Sequence, residues 1–536
     1  MAGNHLFING KIFTSDPQNP WAEAMLVRGG QILWAGRRED MPYAEGTVTD
    51  FRGRTVIPGF VDAHMHPVML ADSRKQIVIM PPLIRSLHDL AQAIRRRRRE
   101  QGPGLWIEGW GYDEQALKEK RPPSRYDLDA GCSDAPVSIT RTCAHICCVN
   151  SMALRLAGID RNTPDPPGGE IERDENGEPT GILRENARNL ITPFIPAVSR
   201  KNQVENLLEL GELLASQGIT AICDMGSLDG SDSMPVYEEA VRRGFGQRIG
   251  IYYMWDFYAE HPEDLHGLEG RTDRRGQIFT AGLKLIGDGS VSGRTAWMDR
   301  PYQNSADDCG FPVCSDAQLE SAIAFCRSHG CQLSVHAMGT RAITRVVDRA
   351  AKERAWTEEG IPYVRVEHVT LPTEESMKRA AEHGIAFVTQ PIFPYAESAS
   401  YLYNLGAEWF GECYPIKRML ENKVPLAFST DAPATFWPVP SDPFPGLKAA
   451  VTRRAADSTD FGADQSVDIG TAVALYTRGA AQAAGFAGSG MLRKGYRADF
   501  AVLNGDIFTI HPENIDRIQV METYIGGAQV YRRQEG

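Results

Sequence analysis

Two histidines one residue apart, His64 and His66, close the apolar run "TVIPGFVDAHMHP" at 55–67. Alternate side chains of a β-strand share a face, so the two imidazoles would project together, about 7 Å apart along the strand. Neutral imidazoles aimed at one point suit a divalent metal. A bare pair is as compatible with two unrelated polar residues where a strand meets a loop, so it needs partners elsewhere. Pro58 and Gly59 bend the chain into the strand, and Phe60, Val61 and Ala63 read as buried. Asp62 in that company is expected to be held by neighbouring donors rather than to ligate.

Residues of the right type recur in other apolar runs. "CQLSVHAMG" (331–339) carries His336, "YVRVEH" (363–368) ends at His368, "VPLAFSTD" (424–431) ends at Asp431, and "FTAGLKLIGDG" (279–289) carries Lys284. Strand parity aligns Ser334 with His336, and Ala427 and Ser429 with Asp431; these small residues leave room on the shared face. A lone histidine at a strand end is more often part of the structure than a ligand. Four histidines and an aspartate at separate strand ends read as a metal site. Lys284 is the odd member, because an ammonium beside metal cations is repelled and poorly solvated. Carboxylation by CO2 would turn it into a carbamate able to bridge two cations; the alternative is a lysine paired with Asp288 in "KLIGDGS".

The elements that must carry these residues alternate between strand and helix. With the strand at 55–64 and "ITAICDM" (219–225), "RIGIYYMW" (248–255) and "IAFVTQP" (385–391), the candidate strands number eight. Amphipathic stretches such as "DAQLESAIAFCRSHG" and "TEESMKRAAEHG" separate many of them, each closed by a glycine suited to a helix C-terminus. That pattern predicts a parallel (β/α)8 TIM-type barrel of the α/β class, with its site at the C-terminal ends of the strands. Both ends of the chain read instead as short strands with "NG" and "GG" hairpin signals. The expected domains are therefore a small β-sandwich built from 1–57 and 487–536, and a barrel over 58–486. An insert at about 70–215 follows the first barrel strand, and its "NTPDPPGGEIERDENGEPTGI" looks like a hairpin or lid element.

Composition narrows the partners. The chain has 536 residues, 42% hydrophobic and 24% charged, with net charge −12, enough to bury a sizeable core. An acidic balance disfavours nucleic acid or an anionic membrane as principal partner. The run "IRRRRRE" (94–100) reads as a solvated helix end, with an anion or partner site as the alternative. "MAGNHLFINGKIFTSD" shows no secretory signal pattern, and no apolar run is long enough to span a bilayer. The ten cysteines are accordingly read as reduced thiols of a cytoplasmic protein. Cys143, Cys147 and Cys148 lack a second matching pair and read as core rather than a soft-metal cluster.

"VIPGFVDAHMHP", "LKLIGDGSVSGRTAWM", "LSVHAMGTRA", "VRVEH", "VTQP", "STDAPA" and "ALYTRGAA" followed by "GYRADFAVL" resemble the amidohydrolase superfamily. Within it they are similar to the YtcJ-like branch, which includes N-substituted formamide deformylases. The likeness runs nearly end to end, including "GWGYDE" and "GGEIERDENGEPTGILRENA" of the insert, and it is specific to the branch rather than to one substrate. It implies that His64 and His66 hold a first metal, that Lys284 as its carbamate bridges to a second, and that His336 and His368 bind the second. Asp431 would touch the first metal and the attacking water. Relatives usually carry an acidic residue in the corresponding "HAIGD" motif where this chain has Thr340, which puts the orientation of His336 or the choice of substrate in question.

These parts imply hydrolysis of a C–N bond in a small molecule, with Asp431 moving the proton. The cofactor expected from His and Asp ligands is Zn2+, one or two ions per chain, with manganese, iron or cobalt able to use the same donors. Candidate substrate contacts are Trp110, Tyr112 and Asp113 in "GWGYDE", His145 in "RTCAHICCVNS" and Arg294 in "SGRTAWM". Against these roles, Trp110 and Tyr112 could pack the insert, His145 could be core, and Arg294 could pair with Asp299 or Asp288. Two other classes of function stand beside the hydrolase. One is a different metal-dependent reaction on the same barrel (lactone or ester hydrolysis, decarboxylation, isomerisation); the other is a non-catalytic binding or regulatory barrel. Barrels of this size often associate, which allows a homo-oligomer.

Overall fold

The structure, a computed structural model, describes residues 3–534 apart from 82, 115, 142–145, 228–229 and 266–272. His145 and Cys143 lie outside the described residues. The chain divides into two compact units, one of 1–68, 207–435 and 440–536, the other of 69–206 and 436–439.

The first unit holds an eight-stranded parallel sheet whose strands neighbour one another in chain order. They are β1 (Phe60–Met65), β2 (Ile219–Asp224), β3 (Arg248–Met254), β4 (Ile278–Ile286), β5 (Gln332–Ala337), β6 (Val364–His368), β7 (Ala386–Thr389) and β8 (Leu426–Phe428). Their apolar, β-branched sequences suit strands buried on both faces, as a parallel barrel requires. Helices between the later strands carry the expected caps. Ser315 and Gln318 form a capping box on Asp316–His329, and Gly330 and Gly384 take left-handed backbones at the ends of Asp316–His329 and Glu374–His383.

The seam between first and last strand closes beyond β8. Asp431 N–H donates to the His64 carbonyl at 2.7 Å and His66 N–H to the Ala432 carbonyl at 2.8 Å. Asp62 is the stitch: its buried carboxylate accepts from Thr430 N–H at 3.1 Å, Thr430 Oγ1 at 2.5 Å and His64 N–H at 3.3 Å. Burial raises the Asp62 carboxyl to about 7, against the pull of those donors. At Gly59, just before β1, a Cβ would collide with Thr220 of β2, so only glycine lets the strands approach there.

The barrel interior is polar along one line. Arg274 Nη1 donates to Gln332 Oε1 at 3.2 Å, and Tyr252 O–H donates to the same oxygen at 3.0 Å. Arg365, fully buried, reaches Tyr252 Oη at 2.9 Å, the Ala63 carbonyl at 2.6 Å and Glu367 Oε1 at 2.8 Å. Small residues around it, Ala221, Ala281, Ala386 and Ala427, leave the room that these long side chains fill.

Strands from both ends of the chain form two further sheets of the same unit. One runs Gln31–Gly36, Ala24–Arg28, Asn4–Ile8, Gly46–Asp50; the other runs Ala528–Arg532, Val520–Ile525, Phe500–Leu503, Thr55–Pro58, Lys11–Phe13, Trp21–Ala22. Phe7, Ile12, Met25, Val56, Phe500 and Tyr524 share one apolar core between them, a β-sandwich. The architecture is thus a TIM-type barrel with an additional β-domain.

The second unit has a six-stranded sheet in the order Gly169–Arg173, Pro179–Glu185, Ile146–Val149, Val137–Arg141, Ile107–Tyr112, Ile77–Val78. Gly169–Arg173 and Pro179–Glu185 are an antiparallel hairpin in the Gly/Pro-rich segment. The arginine run ends the helix Leu87–Gln101, which buries Leu87, Leu90, Ala91 and Ile94. There Arg98 grips Asp134 with two hydrogen bonds of 3.0 and 2.6 Å, and Arg95 caps the Ala130 carbonyl. Cys147 and Cys148 are buried free thiols. No helix among the described residues is long and apolar enough to cross a membrane.

Candidate metal centre

His64 and His66, at the end of β1, converge with Asp431, three residues beyond the end of β8. His64 Nδ1–H donates to Glu367 Oε2 at 2.7 Å, which leaves Nε2 3.3 Å from Asp431 Oδ1. His66 donates from Nδ1 to the Gly226 carbonyl at 3.1 Å, and its Nε2 lies 3.4 Å from the same Asp431 oxygen. A carbonyl or carboxylate only accepts, so the proton sits on Nδ1 and Nε2 keeps its lone pair. One ligand atom from each of His64, His66 and Asp431 lies within 4.8 Å of the others, room for one shared cation.

His368 follows the same pattern. Its Nδ1–H donates to Gln390 Oε1 at 2.9 Å, and the Gln390 amide is itself aligned by donating to Ser429 Oγ at 2.8 Å. His336 is turned the other way: Nε2–H donates to the Gly289 carbonyl at 3.0 Å, leaving Nδ1 as the basic atom. The His336 and His368 rings stand 4.4 Å apart and the His64 and His368 rings 4.8 Å apart, centre to centre. The structure therefore brings His64, His66, His336, His368 and Asp431 together at the C-terminal ends of the strands.

Backbone geometry contributes to that convergence. His368 and Asp431 have φ of +74° and +59°, the left-handed region that side chains other than glycine seldom occupy. Alternation along β6 would send His368 to the face opposite Glu367. The left-handed turn at the strand end brings it back beside His64.

Charge inside the cluster is tightly constrained. Burial lowers the Lys284 ammonium to about 8, and its Nζ has no hydrogen-bond partner. Asp288 is not its mate, since that carboxylate accepts from the backbone N–H groups of Trp297, Met338 and Gly339 at 2.8, 3.0 and 2.8 Å. Burial pushes His336 down to about 4, with Lys284 adding to the effect. His368 is held well below the usual imidazole range by burial and then by His336. Every imidazole but one thus presents Nε2, neutral donors are favoured at His336 and His368, and two buried polar atoms, Lys284 Nζ and Asp431 Oδ1, are left without hydrogen bonds. This donor set fits a divalent metal.

Glu367, Arg365 and Gln390 were not among the residues singled out from the sequence. Their signal is two opposite charges, Arg365 and Glu367, inside the apolar run "VRVEH", and a glutamine ending "VTQ". Glu367 is fully buried; Arg365 and His64 hold it far below the usual carboxylate range in spite of that burial.

The candidate substrate contacts fall differently. Trp110, Tyr112 and Asp113 belong to the second unit. Tyr112 is fully buried and packs in that unit's apolar core. Asp113 lies 3.8 Å from Arg141. Arg294 pairs neither with Asp288 nor with Asp299; it donates to Asp308 at 3.0 Å and lies over the Tyr302 ring. Thr340 opens the helix Thr340–Ala350 and donates to Asp299 Oδ1 at 3.1 Å, so a carboxylate is present beside this position, supplied from the loop after β4.

Comparison with known proteins places this geometry. A sequence model described as "Amidohydrolase family" matches residues 47–531. A putative amidohydrolase YtcJ of Bacillus subtilis is 30% identical over 98% of both chains. An N-substituted formamide deformylase of Arthrobacter pascens is 28% identical, again over 98% of each. The crystal structure of an uncharacterized metal-dependent hydrolase from Pyrococcus horikoshii superposes with a TM-score of 0.76 at 26% identity, covering 95% of this chain and 99% of that one.

Proposed function

The chain belongs to the amidohydrolase family, and from that premise we propose that it hydrolyses a C–N bond, of amide or N-formyl type, in a small molecule. The observation that carries this reading is the buried convergence of His64, His66, His336, His368 and Asp431 around two polar atoms without hydrogen-bond partners, Lys284 Nζ and Asp431 Oδ1. The similarity to a formamide deformylase supports the N-formyl type.

His64, His66 and Asp431 would hold one divalent ion, and His336 and His368 a second. Lys284, as the N-carboxylate formed from its neutral amine and CO2 with loss of a proton, would lie between them. When bound, zinc or a similar ion acidifies water and polarises a carbonyl oxygen. Asp431 takes the proton released as water adds to the carbonyl carbon, and passes it to the leaving nitrogen as the C–N bond breaks. Glu367 and Gln390 keep His64 and His368 in one tautomer and one orientation while this happens.

Metal content per chain, on protein purified without chelators, tests the assignment. About two divalent ions, falling to one or fewer in Lys284→Ala, is the expected result. About one ion, insensitive to Lys284, would leave a mononuclear hydrolase with Lys284 as structure. No ion, and none taken up with zinc and bicarbonate, overturns the mechanism. A panel of formamides, amides, lactones and esters on the loaded protein then identifies the bond cleaved.

A further inference from the structure

Each of the four histidines is aimed by an acceptor, but the acceptors differ in kind. His64 and His368 donate to side chains, Glu367 and Gln390, whereas His66 and His336 donate to the carbonyls of Gly226 and Gly289. A carbonyl aims an imidazole only as well as the loop that carries it. For Gly226 that placement comes from Asp224, the last residue of β2.

Asp224 is buried, and it uses both carboxylate oxygens on the segment after β2. Oδ1 accepts from Gly226 N–H at 3.0 Å and Oδ2 from the Ser233 hydroxyl at 2.9 Å. Between Asp224 and Gly226, Met225 N–H donates to the Met65 carbonyl at 3.0 Å, which keeps β2 in register with β1 up to the residue before His66. Gly226 then turns, with φ of +89°, and its carbonyl meets His66 Nδ1 at 3.1 Å. The position requires glycine, since a Cβ there would lie 2.9 Å from Met254 Cγ and 3.2 Å from Met254 N, at the end of β3. Glycine also gives the backbone more freedom than any other residue, so the turn needs a restraint. A charge-assisted hydrogen bond from its N–H to a buried carboxylate supplies one.

We propose that Asp224 is the positioning residue of His66: by pinning Gly226 it holds the carbonyl that sets the tautomer and ring orientation of His66, and so governs how tightly the ion of His64, His66 and Asp431 is bound. The inference rests on the metal-hydrolase reading above and deepens it. It separates the two ions, because the hydrogen bonds of Asp224 lead to His66, whereas His336 and His368 are aimed by Gly289 and Gln390. Loss of an outer contact of this kind weakens metal binding by about 10–100-fold.

The test measures zinc affinity of the metal-free full chain, by competition with a chelator in the presence of bicarbonate, for the wild type, Asp224→Ala and Asp224→Asn. Asparagine keeps an acceptor for Gly226 N–H and loses only the charge; alanine loses both. The expected result is that Asp224→Ala weakens one ion by about 10–100-fold and leaves the other within about threefold, and that Asp224→Asn restores most of the loss. In a His66→Ala background, where that ion has already lost a ligand, Asp224→Ala should change the remaining affinity by no more than about threefold. Asp224→Leu replaces a buried charge by an apolar group of similar volume, and takes the place of Asp224→Ala if that variant folds poorly. Unchanged affinities, or both weakened alike, overturn the inference and leave the hydrolase reading intact. A loss in Asp224→Asn as large as in Asp224→Ala, or a further loss in the His66→Ala background, overturns it too, because charge or fold rather than aim would then be responsible. If the wild type takes up no zinc, the metal-hydrolase reading fails, and this inference with it.

Discussion

The two ends of the barrel interior solve the burial of polar groups in opposite ways. From the strand N-termini inward, Arg274, Gln332, Tyr252, Arg365 and Glu367 form a continuous line in which Arg365 pairs with Glu367 and the long side chains are hydrogen-bonded. At the C-terminal ends, Lys284 Nζ and Asp431 Oδ1 are buried with no hydrogen-bond partner, and His368 and Asp431 sit on left-handed backbone. Buried polar groups are normally satisfied because an orphaned one costs a kilocalorie or more. A protein that pairs its groups so thoroughly at one end and leaves them open at the other has an end that stabilises and an end that waits for something to bind. Glu367 is the hinge of the contrast, since Arg365 donates to both of its oxygens and His64 to one of them.

Breaking that hinge should have the largest effect. Glu367→Ala leaves the Arg365 guanidinium buried without its countercharge, and is expected to destabilise the protein by about 3–5 kcal/mol in urea unfolding. A double variant, Arg365→Met with Glu367→Leu, should recover much of the loss in stability but not the metal affinity, because His64 stays unanchored. Equal instability of the single and double variants would show that shape, not charge, holds this region.

The open end should respond in the other direction. Between about pH 8 and 10.5 Lys284 is neutral in the folded chain and protonated in the unfolded one, so the unfolded state binds more protons and stability rises with pH. The metal-free protein should gain about 3 kcal/mol across that window from this residue, and Lys284→Met should abolish the gain while making the metal-free protein more stable at neutral pH. Parallel pH–stability curves for the two proteins would show that the ammonium is solvated after all.

The smallest effect sharpens the contrast from the satisfied side. Tyr252→Phe removes the hydroxyl that joins Gln332 to Arg365, and should cost about 1–2 kcal/mol with metal stoichiometry unchanged. A change in stoichiometry would mean that the two ends are not separable.

Much of this was legible in the sequence, for identifiable reasons. A parallel barrel writes its strands as short apolar runs and puts its chemistry where they end, so His64, His66, His368 and Asp431 stand out as polar residues closing apolar ones. The residues that aim those ligands do not stand out. Glu367 and Arg365 look like the polar face of a strand until the strand is known to be buried all round. His368 would be assigned to the wrong face by alternation, because the left-handed turn at His368 and Val369 resets it. Strand β8 is shorter than its apolar run, since Ser429–Asp431 leave the ladder to reach β1. Tyr112 and Arg294 have the composition of binding residues, and only packing shows that one is core and the other is held by Asp308 within its own loop.

The Asp62–Thr430 stitch has a consequence for biosynthesis. It joins residues 368 positions apart, and the candidate centre that it aligns needs His64 and His66 from one side of the seam and Asp431 from the other. A ribosome adding about 5–20 residues per second would take roughly 20–70 s to travel between them. Through that interval β1 is synthesised but has no β8, and the apolar strand Thr55–Pro58 beside it waits longer still for its partner Phe500–Leu503. Until then one apolar edge of that strand stays unpaired, the kind of edge on which chains aggregate. An ion held as proposed would reward closure of the ring as a whole, and metal supply would then be expected to raise folding yield.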